Sequence, residues 1–194
     1  MMKKLIVIIA ILLCSPFAYA GMQDAHKAVI ARMNVASGTW VDAYTKNMAT
    51  SQKTAGERNY RNIIPATGKS GSKIRITVEA GSDGNWVLDG CSIGVMTTDD
   101  VYSSTPTRIT FDGGSYGATV TNSGTKVSDE VTFSFSSTVR YGVHIYSADR
   151  TNITYTNSGA GMYWDSAGDD TMVLDASLDS SELNYGLVKI EVYQ

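Results

Sequence analysis

The stretch Lys73–Ala80, KIRITVEA, constrains the fold more than any other. Ile74, Ile76, Val78 and Ala80 alternate with Lys73, Arg75, Thr77 and Glu79. Side chains at that period of two fall on opposite faces of a strand, one apolar and one charged, which a helix cannot reproduce. The same alternation returns in TRITF (Ile109, Phe111), VTFSF (Val131, Phe133, Phe135), YGVHIY (Tyr141, Val143, Ile145) and VKIEVY (Val188, Ile190, Val192). Weaker strands are NYRNII, NWVLDGCSIGV, SYGATVT, NITYT and TMVLDA. The intervening turn signals are GSDGN (81–85), DGG (112–114), NSGT (122–125), SADRTN (147–152) and NSGAG (157–161). Short, closely spaced strands with polar, glycine-rich turns predict an all-β fold, an antiparallel β-sandwich or jelly roll, over residues 59–194.

The first part of the chain has a different pattern. Residues 1–20, MMKKLIVIIAILLCSPFAYA, carry Lys3 and Lys4, an apolar run and a small-residue end, which predicts a signal peptide cleaved after Ala20 and a secreted or periplasmic protein. Leu13 and Ser15 flank Cys14 where a lipoprotein anchor would differ, so no stable membrane anchor is expected. From 21 to 58 a helical or irregular lead-in is predicted. Met22, Ala25, Val29, Ile30 and Met33 recur at helical spacing, and Trp40, Tyr44 and Met48 stand at i, i+4 and i+8. Packing against the sandwich or a protein partner would be needed to hold such short helices.

Without the signal, 14 basic residues oppose 19 acidic ones, a formal charge of −5. A phosphate backbone calls for a basic surface, so nucleic acid is not an expected partner. Cys91 is then the sole cysteine, which excludes an intramolecular disulfide and makes it a buried apolar residue in VLDGCSIG. His26 and His144 have no histidine or cysteine at ligand spacing, which argues against a transition-metal site. His144 alternates with Val143 and Ile145 and is expected on the solvent face of its strand. No G-x-S-x-G is present, and TGKSGSK (67–73) lacks the first glycine of a phosphate loop. The pairs Asp99-Asp100, Asp129-Glu130 and Asp169-Asp170 are neighbours, and adjacent strand residues point apart, so none of these pairs works together as acid and base. No cofactor is expected, although Asp83-Gly84-Asn85 and Asp165–Asp170 offer oxygen ligands for a structural calcium.

What the chain has in abundance is aromatics beside small polar residues. Ten of the 11 tyrosines and all three tryptophans lie beyond the signal. A ring offers a flat apolar face to a pyranose, and carboxylates and amides satisfy the hydroxyls. The expected carbohydrate-binding residues are Trp86, Tyr102, Tyr163, Trp164, Asp99, Asp100 and Asp165, gathered by loops at one end of the sandwich, with GAGMYWDSAGDD (159–170) as a long connection.

The segments TPTRITFDGG (105–114), GTKVSDEVTFSF (124–135) and NWVLDGCSIG (85–94) resemble accessory β-sandwich domains of exported bacterial and phage tail-associated proteins, some of which stand beside an SGNH-type hydrolase domain. The resemblance spans roughly residues 58–194 and implies a jelly-roll, galactose-binding-like topology and a carbohydrate-binding role. It transfers no ligand residues. The expected function is therefore non-catalytic recognition of a glycan or polysaccharide. The alternatives are a structural or assembly subunit of a surface, pilus or virion, and a carbohydrate or ester hydrolase.

Overall fold

The computed structural model describes residues 38–53, 59–98, 101–149, 152–156, 160–164, 168–174, 179–181 and 183–194. The signal, the Met22–Met33 segment, Asp99, Asp100 and Asp165 lie outside them. The described residues are all-β and every strand pairing is antiparallel.

One large sheet runs β1 (Trp40–Thr45), β16 (Leu187–Tyr193), β4 (Gly71–Glu79), β10 (Val131–Phe135), with β9 (Thr125–Val127) also paired to β4. The other runs β14 (Asp179–Ser181), β13 (Ala160–Trp164), β3 (Asn59–Ile64), β11 (Tyr141–Tyr146), β6 (Gly90–Val95), β7 (Thr107–Arg108). Smaller sheets join β15 (Asn184–Tyr185), β12 (Ile153–Thr156) and β2 (Ala49–Lys53), and β5 (Trp86–Leu88) with β8 (Ala118–Val120).

The alternation of KIRITVEA is realised in β4. Ile74, Ile76 and Val78 are fully buried, and they join Ile190 and Val192 of β16 in one hydrophobic cluster. Tyr60 and Ile64 of β3, Cys91 and Ile93 of β6, and Tyr141, Val143 and Ile145 of β11 belong to the same cluster, so the two large sheets share a core. Each such apolar side chain taken from water contributes about 1.5–3 kcal/mol. Cys91 is wholly buried and its thiol is pushed well up by burial, as expected of an inert packing residue.

Several expectations change. Trp40–Met48 is not a helix: Trp40–Thr45 is β1, paired with β16 from Trp40↔Tyr193 to Thr45↔Lys189. A spacing of four fits both a helix and a strand, and the hydrogen bonds offered by β16 decide between them. A bulge between Asp42 and Tyr44 then turns Tyr44 inward, where its hydroxyl donates to Asn184 Oδ1 at 2.7 Å. Thr39–Gln194 form one compact unit, so β1 and β2 belong to the β body.

Within GAGMYWDSAGDD, Ala160–Trp164 is no loop. It is β13, hydrogen-bonded between β3 and β14 with Tyr163 opposite Tyr60 and Trp164 opposite Asn59. Conversely, the expected strand TMVLDA begins as a turn at Thr171–Leu174. His144 is fully buried, not on a solvent face. It lies opposite Arg61 of β3 and Ser92 of β6, and Tyr102 and residues 168–174 cover that side of the sheet.

Candidate ligand-binding face

The strand registers of the five-stranded sheet build a platform on the side turned away from the core. One row across the strands is Trp40, Tyr193, Lys73 and Thr132, and the next is Asp42, Glu191 and Arg75. Between them lies the apolar row Val41, Val192, Ile74 and Val131, which points inward. Period-two alternation in β1, β4 and β16 thus sends aromatic and charged groups outward together.

The rings of Trp40 and Tyr193 have centroids 5.4 Å apart and are tilted by 58°. Both are partly exposed. The Arg75 guanidinium lies 4.6 Å from the Trp40 ring centroid, and the Lys73 ammonium 5.5 Å from that of Tyr193. Cation–π attraction of this kind holds a ring in place on an open surface. Arg75 also grips Glu191 with both ends of its fork, Nε to Oε2 at 2.8 Å and Nη2 to Oε1 at 2.9 Å. These hydrogen bonds hold the Glu191 carboxyl below its ordinary range. Lys189 lies 3.4 Å from Glu191 Oε1 and 3.6 Å from Asp42 Oδ1. Lys73 pairs with Glu130 at 3.1 Å. The face therefore offers rigid aromatic surface bordered by fixed donors and acceptors.

Of the residues expected to bind carbohydrate, Trp86 and Tyr102 do not lie on this face. Trp86 is fully buried in the core, and its indole N–H donates to Ser147 Oγ at 3.1 Å. Tyr102 is 3% exposed, with its hydroxyl donating to the Gly142 carbonyl at 3.2 Å. Burial pushes the Tyr102 phenol up to about 12. Both were expected at a contact surface because they follow turns, but each turn delivers its ring inward: large aromatic area is more stable in the core than in water. Tyr163 and Trp164 lie in β13, whereas Asp99, Asp100 and Asp165 fall outside the described residues.

Trp40 and Tyr193 are the residues that sequence reasoning missed. The charged face of KIRITVEA and the outward Lys189 and Glu191 of VKIEVY were legible, and they were the available signal. The spacing of Trp40, Tyr44 and Met48 fits a helix, which hides the place of Trp40 beside them.

Two other features bear on ligands. An open groove of about 480 Å³ is lined by Val87–Asp89, Asp112 and Gly117–Thr119 and has no aromatic lining. Its carboxylates are engaged, Asp89 by the Ala148 amide and Asp112 by Lys126. In the proposed calcium turns, Asn85 Oδ1 accepts the Asn122 amide and Asp169 Oδ1 accepts the Thr171 amide. Among the described residues no group of three or more histidine, cysteine, aspartate or glutamate side chains is placed to hold a metal. Among the described residues no helix is long and apolar enough to cross a membrane.

The sequence matches no known family model and no curated protein.

Proposed function

We propose that this is an exported, non-catalytic carbohydrate-binding protein of β-sandwich build and jelly-roll connectivity, whose glycan lies on the Trp40–Tyr193 face. The reading rests on one observation: two partly exposed rings 5.4 Å apart stand beside the fixed Arg75–Glu191 pair. The rings supply stacking surface for pyranose C–H faces, and the ion pairs supply hydrogen-bond partners for hydroxyls. The shared core of the two large sheets supports the sandwich, and the signal-like residues 1–20 support export.

A binding role suits this face better than hydrolysis. A glycosidase acid must hold a proton to give to the leaving oxygen. Glu191 is held in the opposite direction, toward the ionised form, by Arg75.

Affinity electrophoresis through gels containing polysaccharide tests the reading. The wild-type chain is expected to be retarded, and Trp40→Ala or Tyr193→Ala to weaken retardation about five- to tenfold, the loss of roughly 1–1.4 kcal/mol of stacking. Their melting temperatures should stay near wild type. Retardation unchanged in both variants would remove the face from consideration.

A further inference from the structure

The charges on the platform narrow the class of glycan, and the narrowing rests on the carbohydrate reading of that face. Three cations point outward there, and each has a carboxylate partner. Lys73 is 3.1 Å from Glu130, Arg75 is 2.8 Å from Glu191, and Lys189 is 3.4 Å from Glu191 and 3.6 Å from Asp42. Three positive groups are balanced by three negative ones, and the cations nearest the rings, Lys73 and Arg75, are both paired.

We infer that the ligand is an uncharged glycan chain lying across the strands. A uronate, sulfate or phosphate needs an uncompensated cation to offset the loss of its hydration. Here it would meet the carboxylates of Glu191, Asp42 and Glu130 beside every cation. It would also approach a protein whose formal charge without residues 1–20 is −5, which repels anionic chains at long range. A neutral sugar has the opposite requirement. Its hydroxyls both donate and accept, and alternating ammonium, guanidinium and carboxylate groups satisfy them without any pair having to separate.

The shape of the platform agrees. The row Trp40, Tyr193, Lys73 and Thr132 crosses four neighbouring strands. At about 4.8 Å per strand it spans roughly 14 Å, which suits a chain of sugars over a single one. The aromatic pair occupies one end of the row and hydrogen-bonding groups the other. Such a row would grip the chain by stacking at one end and by hydroxyl contacts along its length.

The test compares a neutral glucan and a galactomannan with polygalacturonate in affinity gels, at about 50 mM and about 500 mM sodium chloride, across which surface charge attraction is strongly screened. The expected result is retardation by a neutral polymer that changes less than about twofold with salt, no retardation by polygalacturonate, and at least fivefold loss in Trp40→Ala. A charge-altered double variant, Glu130→Gln with Asp42→Asn, frees Lys73 and removes one of the two carboxylates beside Lys189, and it should acquire salt-sensitive retardation by polygalacturonate. Retardation of the wild type by polygalacturonate alone, abolished at high salt, would overturn the inference while leaving a glycan role in place. Retardation by none of the three polymers would count against the glycan reading itself, and the inference would fall with it.

Discussion

Arg61 and Arg75 occupy comparable positions in the two large sheets. Each sits within a strand, β3 or β4, on the side turned away from the shared core. Arg75 retains 33% side-chain exposure and reaches Glu191 and Trp40. Arg61 has none, and its guanidinium lies 4.2 Å from the centre of the Tyr102 ring. The difference lies in what covers each sheet. Beside Arg61 the strands carry glycines where a side chain would collide with the cover. A Cβ at Gly94 would stand 2.6 Å from Tyr102 Cδ1, one at Gly142 2.6 Å from Met96 Sδ, and one at Gly90 2.9 Å from Asp169 Oδ2. These small positions let Tyr102 and the 168–174 segment close over Arg61, His144 and Ser92. The outward positions beside Arg75 carry Lys73, Glu191 and Tyr193, which leave no such seat. One outer face is thus a second, polar interior, and the other keeps Trp40, Lys73, Arg75 and Tyr193 partly exposed among the described residues.

Removing a ring from each face should have the most unequal effects on stability. Tyr102→Ala should lower unfolding free energy by about 3–5 kcal/mol, as for a large aromatic cut from a packed interior. Trp40→Ala should cost roughly 1 kcal/mol or less, because its ring is partly solvated already. Urea unfolding of both variants measures the two losses. Equal losses would mean that the Trp40 platform is structural and that its rings serve packing.

The covered face also predicts a dependence on pH. Burial first, and the positive charge of Arg61 second, hold the His144 imidazole well below its ordinary 6.5. The unfolded chain takes up a proton at this site below about pH 6.5, and the folded chain does not. The stability associated with neutral His144 is therefore fully present above that pH. It is lost as pH falls toward the folded value, at up to about 1.4 kcal/mol per pH unit. Asn59 Oδ1, 3.1 Å from His144 Nε2, gives the neutral ring a partner. Stability measured from pH 7.5 down to pH 5 should fall with this slope in wild type and lose it in His144→Gln. A slope unchanged by the substitution would assign the effect to another group.

These faces were unequally legible. Alternation in KIRITVEA identified the buried residues of β4 and their charged neighbours, because an exposed charged face and an apolar inner face differ in composition. In YGVHIY the same rule sent His144 to solvent, since period two records which residues share a side and carries nothing about a cover supplied from elsewhere in the chain. Tyr102 reaches the Gly142 carbonyl across 40 residues. NYRNII, with all six residues buried, mixes polar and apolar groups because both of its faces are interior. The platform was hidden for a related reason. Trp40 and Tyr193 come from opposite ends of the β body and meet only through the β1–β16 register. Glycine likewise misled at GAGMYW: small residues that resemble a loop can equally line a strand between two others.

The smallest effect concerns the charges that distinguish the open face. Arg75 and Glu191 form a two-pronged pair in which the arginine side chain is 33% exposed and the glutamate side chain 11%, so solvent screens the attraction from the arginine side. Glu191→Gln should therefore cost only about 0.5–1 kcal/mol. Its pH signature runs with the depressed carboxyl: the contribution is present above the usual glutamate range near 4.5 and is lost as pH falls through the lower folded value. This loss sets in near pH 4.5 and that of His144 near pH 6.5, so the two onsets distinguish the faces in a single stability titration. The acid-side loss should shrink in Glu191→Gln and persist in His144→Gln. A double-mutant cycle with Arg75→Gln measures the coupling itself. A coupling of several kcal/mol would mean that solvent does not reach the pair, and the open face would then resemble the covered one.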